Sequence, residues 1–413
     1  MSGSQFLALA GALADRLPDG PAALNLCERR DNFLVAFAAL LMRGQVCLLP
    51  PSRVPAVVRE VMEEHPGSYA LADAYVENTR PAQPLPDPSI PVIPSDRVVV
   101  IGYTSGSTGR PKPNPKTWGG FAAATALNAS RLREILPPRW AGLPPWIVAT
   151  VPPQHMYGME LSVLMPLLGD MGVHGGHPLY PADIASALAD VPGPRILVST
   201  PVHLRALLES GVEVPELGAV VSATAPLPAE LARTIERRFG TVLLEYFGST
   251  ETCIVASRRT AVDEAWHSYP GVRLQPADDG TQVDAPWFTS SVVMQDVLEV
   301  RSDGAFTVRG RNADMVEVAG KRASLADLTR RLASIPGVSD AVVFQPDDAG
   351  STAVRRLAAL VVADGMTEAQ VLAKLAPSVD PAFLPRPLVL VTRLPRNEVG
   401  KLPREQLLAA LKR

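Results

Sequence analysis

Only three cysteines occur in the 413 residues, Cys27, Cys47 and Cys253. They lie far apart, with no Cys-x-x-Cys and no Cys/His metal spacing, which argues against a disulfide framework or a zinc module and suits a reducing compartment. The six histidines are scattered as well. His174 and His177 share the tetrad "HGGH", but no second ligand pair accompanies them, so they read as loop residues. Neither sign of charge is in excess: a net charge of −3 gives no general attraction to nucleic acid or to an anionic membrane. No apolar run reaches the length of a membrane span. Phe6 to Ala14 is apolar, yet no lysine or arginine precedes it, which a secretory signal needs. The stretch reads instead as an amphipathic first helix, and the chain is expected to be cytoplasmic.

Apolar residues make up 47% and charged residues 20%, an ordinary globular composition. The length exceeds that at which single cores stop growing, so two domains are expected. Helix-like and strand-like segments alternate through the first three quarters. Residues 33–44 read as a buried helix stopped by glycine, and 45–50 as a short strand. The proline-rich stretch 81–94 cannot sustain helix or central strand and reads as an extended connector. Strands are expected at 97–101, 146–151, 195–199, 219–222 and 242–246, with helices such as 229–239 between them. That alternation predicts an α/β fold: a large N-terminal domain, 1–310, of parallel or mixed sheets and flanking helices. Near Gly310 the pattern changes to that of a small, mobile α+β domain, 311–413, with a hinge at 311–314.

"GYTSGSTGRPKPNPKTW", Gly102 to Trp118, follows the apolar strand at 97–101. A strand that ends in a Gly/Ser/Thr loop suggests a phosphate cradle, because glycine lets successive backbone N–H groups approach an anion. The hydroxyls of Thr104, Ser105, Ser107 and Thr108 add donors, Gly106 and Gly109 add freedom, and Lys112 adds charge. The Walker pattern is absent, since Gly109 is followed by Arg110-Pro111-Lys112 and not by Lys-Ser/Thr.

A hydroxyl-rich loop followed by Pro-Lys resembles the phosphate loop of the adenylate-forming superfamily, which includes acyl- and aryl-CoA synthetases, luciferases and peptide-synthetase adenylation domains. Further segments match it in order. "PPQHMYGME" places His155 where members carry an aromatic residue or histidine at the substrate pocket. "SATAPLP" resembles the segment along the adenine, which implies Ala223, Thr224 and Ala225. "EYFGSTET" resembles the Tyr-Gly-x-Thr-Glu signature. It implies Phe247 and Gly248 beside adenine, Thr250 at a phosphate and Glu251 as magnesium ligand. "PRNEVGKLPRE" resembles the catalytic-lysine segment, with Lys401 as that lysine. Asp296 precedes Gly310 by the family's interval between its ribose-binding aspartate and the Gly-Arg pair, which implies Asp296 and Arg311. Met156, Tyr157, Tyr246, Cys253 and Ile254 fall where members border the acyl pocket.

The resemblance implies ATP and Mg2+, a small carboxylic acid substrate, and transfer to coenzyme A or an acyl carrier protein. The chemistry fits the residue types: a carboxylate attacking the α-phosphate brings anions together, which a hard carboxylate-bound cation and a lysine neutralise. The chain departs from the family pattern at Ala313 and Glu317, and at Pro113-Asn-Pro115. The run ending in Lys116-Thr117-Trp118 is similar to a subgroup from aryl polyene and xanthomonadin-type pigment clusters, which implies a hydroxybenzoate-like acid. The pocket residues, two aromatics, a thioether and small apolar side chains, suit a flat ring as well. The rivals are an amino-acid or fatty-acid adenylating enzyme, a non-catalytic nucleotide-binding protein and a P-loop kinase. "PPQHMYGME" offers no aspartate for an ammonium, binding alone would not need Lys401, and the missing Walker pattern speaks against the kinase.

Overall fold

The computed structural model describes every residue except 52, 54, 80–89, 106–110, 279, 312–314, 319–320, 347–355, 398–399 and 412–413. The expected α/β class is observed, and the chain divides into two compact units. The first comprises Met1–Glu264, Tyr269–Val272 and Asp284–Ser290; the second comprises Ala265–Ser268, Arg273–Val283 and Ser291–Arg413.

In the first unit, the helix Arg30–Arg43 buries nearly every side chain because its apolar residues surround it. It ends at Gly44, whose φ of 79° is the left-handed cap that glycine adopts freely. One sheet contains β1 (Ala22–Asn25), β2 (Val46–Leu49), β3 (Tyr69–Leu71), β4 (Val98–Ser105) and β5 (Pro111–Thr117), in the order β3-β1-β2-β4-β5. The first four are parallel, and β5 is antiparallel to β4. Three of the seven residues of β5 are proline. Such a strand survives only at an edge, where the missing N–H groups break no ladder. The sequence pattern around 111–117 carries no strand signature, and pairing with β4 alone makes it one.

The second sheet of this unit runs β11 (Cys253–Arg258), β10 (Val242–Ser249), β9 (Ala219–Ser222), β8 (Arg195–Ser199), β6 (Trp146–Ala149) and β7 (Gly172–Val173). All pairings from β10 to β7 are parallel; β11 returns antiparallel to β10. The apolar runs read as strands at 195–199 and 219–222 occupy those residues, and each is fully buried over its last four residues, as a sheet covered on both faces requires. The carboxyl ends of β6, β8, β9 and β10 therefore lie side by side.

The second unit is α+β. The hairpin Asp296–Val300/Phe306–Arg311 turns at Asp303-Gly304, where Gly304 has φ 83° and Ala305 N–H donates to Asp303 Oδ1 at 3.0 Å. Val338–Phe344, Ala358–Ala363 and Leu388–Leu390 form a sheet. The helices Leu325–Ala333 and Glu368–Leu375 pack on it through Leu328, Leu332, Val371 and Leu375.

Candidate active site

β9 and β10 are parallel neighbours with Ser222 opposite Glu245, so the segments that leave them begin together. Ala223, Thr224 and Ala225 follow β9; Phe247 and Gly248 lie in β10 just before its last residue, Ser249. A crevice outside the carboxyl ends of strands is where open α/β sheets hold ligands. Thr224 adopts φ 77°, a left-handed conformation that a β-branched residue takes only when its surroundings impose it.

The β10–β11 hairpin carries Thr250 and Glu251 in its loop, with Ser249 paired to Cys253. A Cβ on Gly102 of β4 would lie 3.0 Å from both Thr250 Cγ2 and Met156 Cε, so this glycine lets three segments converge. Beside it Thr104 Oγ1 donates to Glu251 Oε1 at 3.5 Å. Thr104 of one segment and Thr250 and Glu251 of another are thus brought together. Ser105 ends β4, while Gly106, Ser107, Thr108 and Gly109 lie outside the described residues. Lys112 sits on β5 opposite Thr104 and is exposed.

His155 stands at the N-cap of the short helix Met156–Met159. Met156 and Cys253 join one buried cluster. Burial pushes the Cys253 thiol up to about 12, with Lys116 lowering it and Glu160 raising it, so the thiol stays protonated and unreactive. Tyr157 donates its hydroxyl proton to Ser199 O at 3.1 Å, and Tyr246 to Asn128 O at 3.4 Å. Burial pushes both phenols upward. Both hydroxyl protons are committed to the protein, which leaves acceptor lone pairs for any phenolic partner.

Lys116, Asn128, Glu160, Tyr269 and Trp287 were not assigned to the site from sequence. Glu160 is 2% exposed and begins the π-helical turn Glu160–Leu164. Its carboxylate accepts Ile254 N–H at 3.2 and 3.0 Å and Asn128 Nδ2 at 3.5 Å. Tyr269 donates to Asn128 Oδ1 at 2.8 Å, with its ring edge-on to Tyr246. Lys116 Nζ donates to Glu251 O, and Trp287 Nε1 to Thr252 O at 3.4 Å. The available signal was a single glutamate inside the apolar run "MYGMELSVLM", where a buried charge needs partners.

In the second unit, Asp296 pairs directly with Arg311 and Val297 with Gly310, so the fourteen-residue interval closes a hairpin. Lys401 is exposed and follows Gly400, φ 79°. Its N–H donates to Asn397 Oδ1 at 2.8 Å, and Asn397 N–H donates to Lys401 O at 2.8 Å. Arg396 grips Asp340 through two contacts of 3.0 and 2.8 Å and donates to Gly400 O at 2.9 Å, which anchors the loop bearing Lys401. The hinge positions 312–314, Ala313 among them, lie outside the described residues.

A hydroxyl and a carboxylate with no soft donor between them form a donor set that fits Mg2+. That ion is held by one or two carboxylates plus substrate phosphates more often than by an all-protein cage.

Residues 51–284 match the family model described as AMP-binding enzyme. The chain is 29% identical over 306 residues to a 4-coumarate–CoA ligase of Halorhodospira halophila, covering 72% of this chain and 73% of the relative. An o-succinylbenzoate CoA synthetase of Bacillus subtilis, solved with its acyl-adenylate intermediate, superposes with a TM-score of 0.77 at 18% identity, over 98% of this chain and 91% of that one. The same synthetase with ATP and magnesium ion gives 0.74 at 19% identity, over 98% and 92%. At these identities the structural likeness speaks for the fold.

Proposed function

The chain belongs to the AMP-binding enzyme family, and from that membership we propose that it is an ATP- and Mg2+-dependent acid–thiol ligase that activates an aryl, hydroxybenzoate-like acid. The acid's carboxylate oxygen attacks the α-phosphorus of ATP, and the bond from that phosphorus to pyrophosphate breaks. The resulting acyl-adenylate is then attacked at its carbonyl by a phosphopantetheine thiol. The carbon–oxygen bond to AMP breaks, and the thiol proton is released. Coenzyme A and an acyl carrier protein present the same thiol.

The observation that carries this reading is the approach of Thr104 to Glu251 at the base of the hydroxyl-rich loop. Glu251 would hold Mg2+, which supplies neutralisation of phosphate charge when bound. Thr104 and Thr250 would orient phosphate oxygens; Ser105, Gly106, Ser107, Thr108 and Gly109 would wrap them, with Lys112 beside them. Ala223, Thr224, Ala225, Phe247 and Gly248 would line the adenine. Asp296 would accept from the ribose hydroxyls, with Arg311 beside it. Lys401 would bridge carboxylate and phosphate during adenylation only, with rotation at 311–314 exchanging it for the thiol-transfer surface. His155, Met156, Tyr157, Tyr246, Cys253 and Ile254 would form the acid pocket. A ring buried among them gains roughly 2 to 3 kcal/mol, as a Phe side chain does.

The test is pyrophosphate exchange and kcat/KM for 3-hydroxybenzoate, 4-hydroxybenzoate, 4-hydroxycinnamate and octanoate, repeated with coenzyme A and with a holo acyl carrier protein. The aryl acids are expected to exceed octanoate by about tenfold or more, the scale of one well-buried group. Octanoate equalling all three would reject the aryl pocket. Exchange with no acid at all, amino acids included, would favour a nucleotide-binding module.

A further inference from the structure

The turn that carries Glu251 is built around a strained residue. Cys253, the paired residue just after the three-residue loop, has φ 58°, a left-handed conformation that normally falls to glycine or asparagine. Its backbone also crosses β10 closely: a Cβ on Gly248 would meet Cys253 O at 2.1 Å. A strained conformation persists only where its neighbours over-determine it. Here they do. Thr252 N–H donates to Ser249 Oγ at 3.3 Å, and Thr252 O accepts from Trp287. The two outer groups of the turn meet opposite charges. Lys116 Nζ donates to Glu251 O, and the Glu160 carboxylate accepts Ile254 N–H through both oxygens. Charge-assisted bonds of this kind are the stronger ones. The ammonium lies close enough to Glu160 to favour its ionised form.

The alternation of β5 places Lys112, Asn114 and Lys116 on one face, opposite Thr104, Gly102 and Val100 of β4. Lys116 and Thr104 therefore stand on the same face of one two-stranded ribbon, and Lys116 meets the Glu251 carbonyl while Thr104 meets the Glu251 side chain. Neither charge is free to serve a substrate as its first partner, because each already holds a backbone group of this turn.

We propose that Lys116 and Glu160 are a positioning pair that clamps the turn Glu251–Ile254 from both ends and so aims the Glu251 carboxylate at the metal–nucleotide side. The pair rests on the reading of Glu251 as magnesium ligand. It acts through the backbone and touches no reacting atom.

The experiment titrates Mg2+ in ATP–pyrophosphate exchange for wild type, Lys116→Met, Lys116→Arg, Glu160→Gln and Lys116→Met/Glu160→Gln. Loss of a partner behind a metal ligand weakens metal binding by about 10- to 100-fold. Lys116→Met is therefore expected to raise the Mg2+ concentration at half-saturation at least about tenfold, leaving the KM for the acid within about twofold. Lys116→Arg, which keeps the charged donor, is expected to recover most of that loss. The double variant is expected to be no worse than Lys116→Met, because a pair acting as a unit is non-additive. A fall in kcat with unchanged Mg2+ half-saturation would mean a merely structural role and would overturn the proposal, as would simple additivity. If Lys116→Met does not fold, Glu160→Gln, which keeps the side-chain shape, is read in the same titration, and an unchanged Mg2+ requirement overturns the pair. If the wild-type chain gives no exchange with any acid, the adenylation reading falls by itself. The pair is then judged by calorimetric titration of Mg2+-ATP, where equal binding by wild type and Lys116→Met sinks it.

Discussion

Glu160 shows how one residue reports on the whole neighbourhood. Burial raises its pKa from the ordinary 4.5 to about 7, while the Ile254 N–H, the Lys116 charge and Asn128 pull it back. Lys116, Asn128, Tyr246, Tyr269 and Cys253 surround it from five different segments. A raised folded-state pKa means that between about pH 4.5 and 7 the native chain holds a proton that the unfolded chain has lost. The stabilisation is complete below 4.5 and disappears as pH rises through 7, a swing of about 3 kcal/mol. Glu160→Gln has no such proton. Its stability relative to wild type is therefore expected to rise between pH 5 and pH 8, as read from urea midpoints at both. Parallel pH profiles for the two chains would remove Glu160 as a titrating group. Glu251 is a separate case, since its half-buried carboxylate meets Thr104. Glu251→Gln is expected to raise the Mg2+ requirement of turnover more than it weakens nucleotide binding. A normal magnesium requirement at a normal rate would dismiss it as a ligand.

At the scale of elements, the β10–β11 hairpin and the β4–β5 ribbon make the candidate site, because Thr104 and Lys116 of the ribbon strands both meet Glu251 in the turn of the hairpin. Gly248 is where the hairpin is tightest. A methyl group there meets the Cys253 carbonyl, which is backbone and cannot swing away. Gly248→Ala is expected to cost roughly 1 to 3 kcal/mol, the range for overpacked sites. The same substitution at Gly142, where a Cβ meets nothing within 4 Å but φ is 78°, carries a left-handed strain that Gly248 lacks and no close contact. Chemical denaturation of the two variants compares them, and a Gly248→Ala chain no less stable than Gly142→Ala would contradict the close approach.

At the scale of the molecule, the proposed chemistry divides between two compact units. Glu251 belongs to the first and Lys401 to the second. If Lys401 serves adenylation only, Lys401→Ala lowers acyl-adenylate formation by at least about a hundredfold, the scale of losing one preorganised charge partner. Thioester formation from chemically prepared acyl-adenylate survives in the same variant. Single-turnover measurement of each half-reaction decides it, and equal loss in both would end the two-state assignment.

The parts legible in the amino-acid order are those in which local chemistry is sufficient. Fully buried parallel strands read as apolar runs at 195–199 and 219–222. Gly44 stops a helix because only the left-handed cap follows it, and Asp303-Gly304 makes a hairpin turn by its own backbone preference. The motif segments that nominate Thr104, Glu251, Phe247 and Lys401 for the proposed site are local as well. The tertiary structure alone decided the rest. β5 becomes a strand against every propensity of its prolines, because β4 offers it an edge. Lys116 meets the Glu251 carbonyl across 135 residues, and Glu160 meets Ile254 across 94. A buried charge demands a partner but does not name it. Which backbone group answers depends on which loops the packed sheets bring together, and no periodicity in the chain records that.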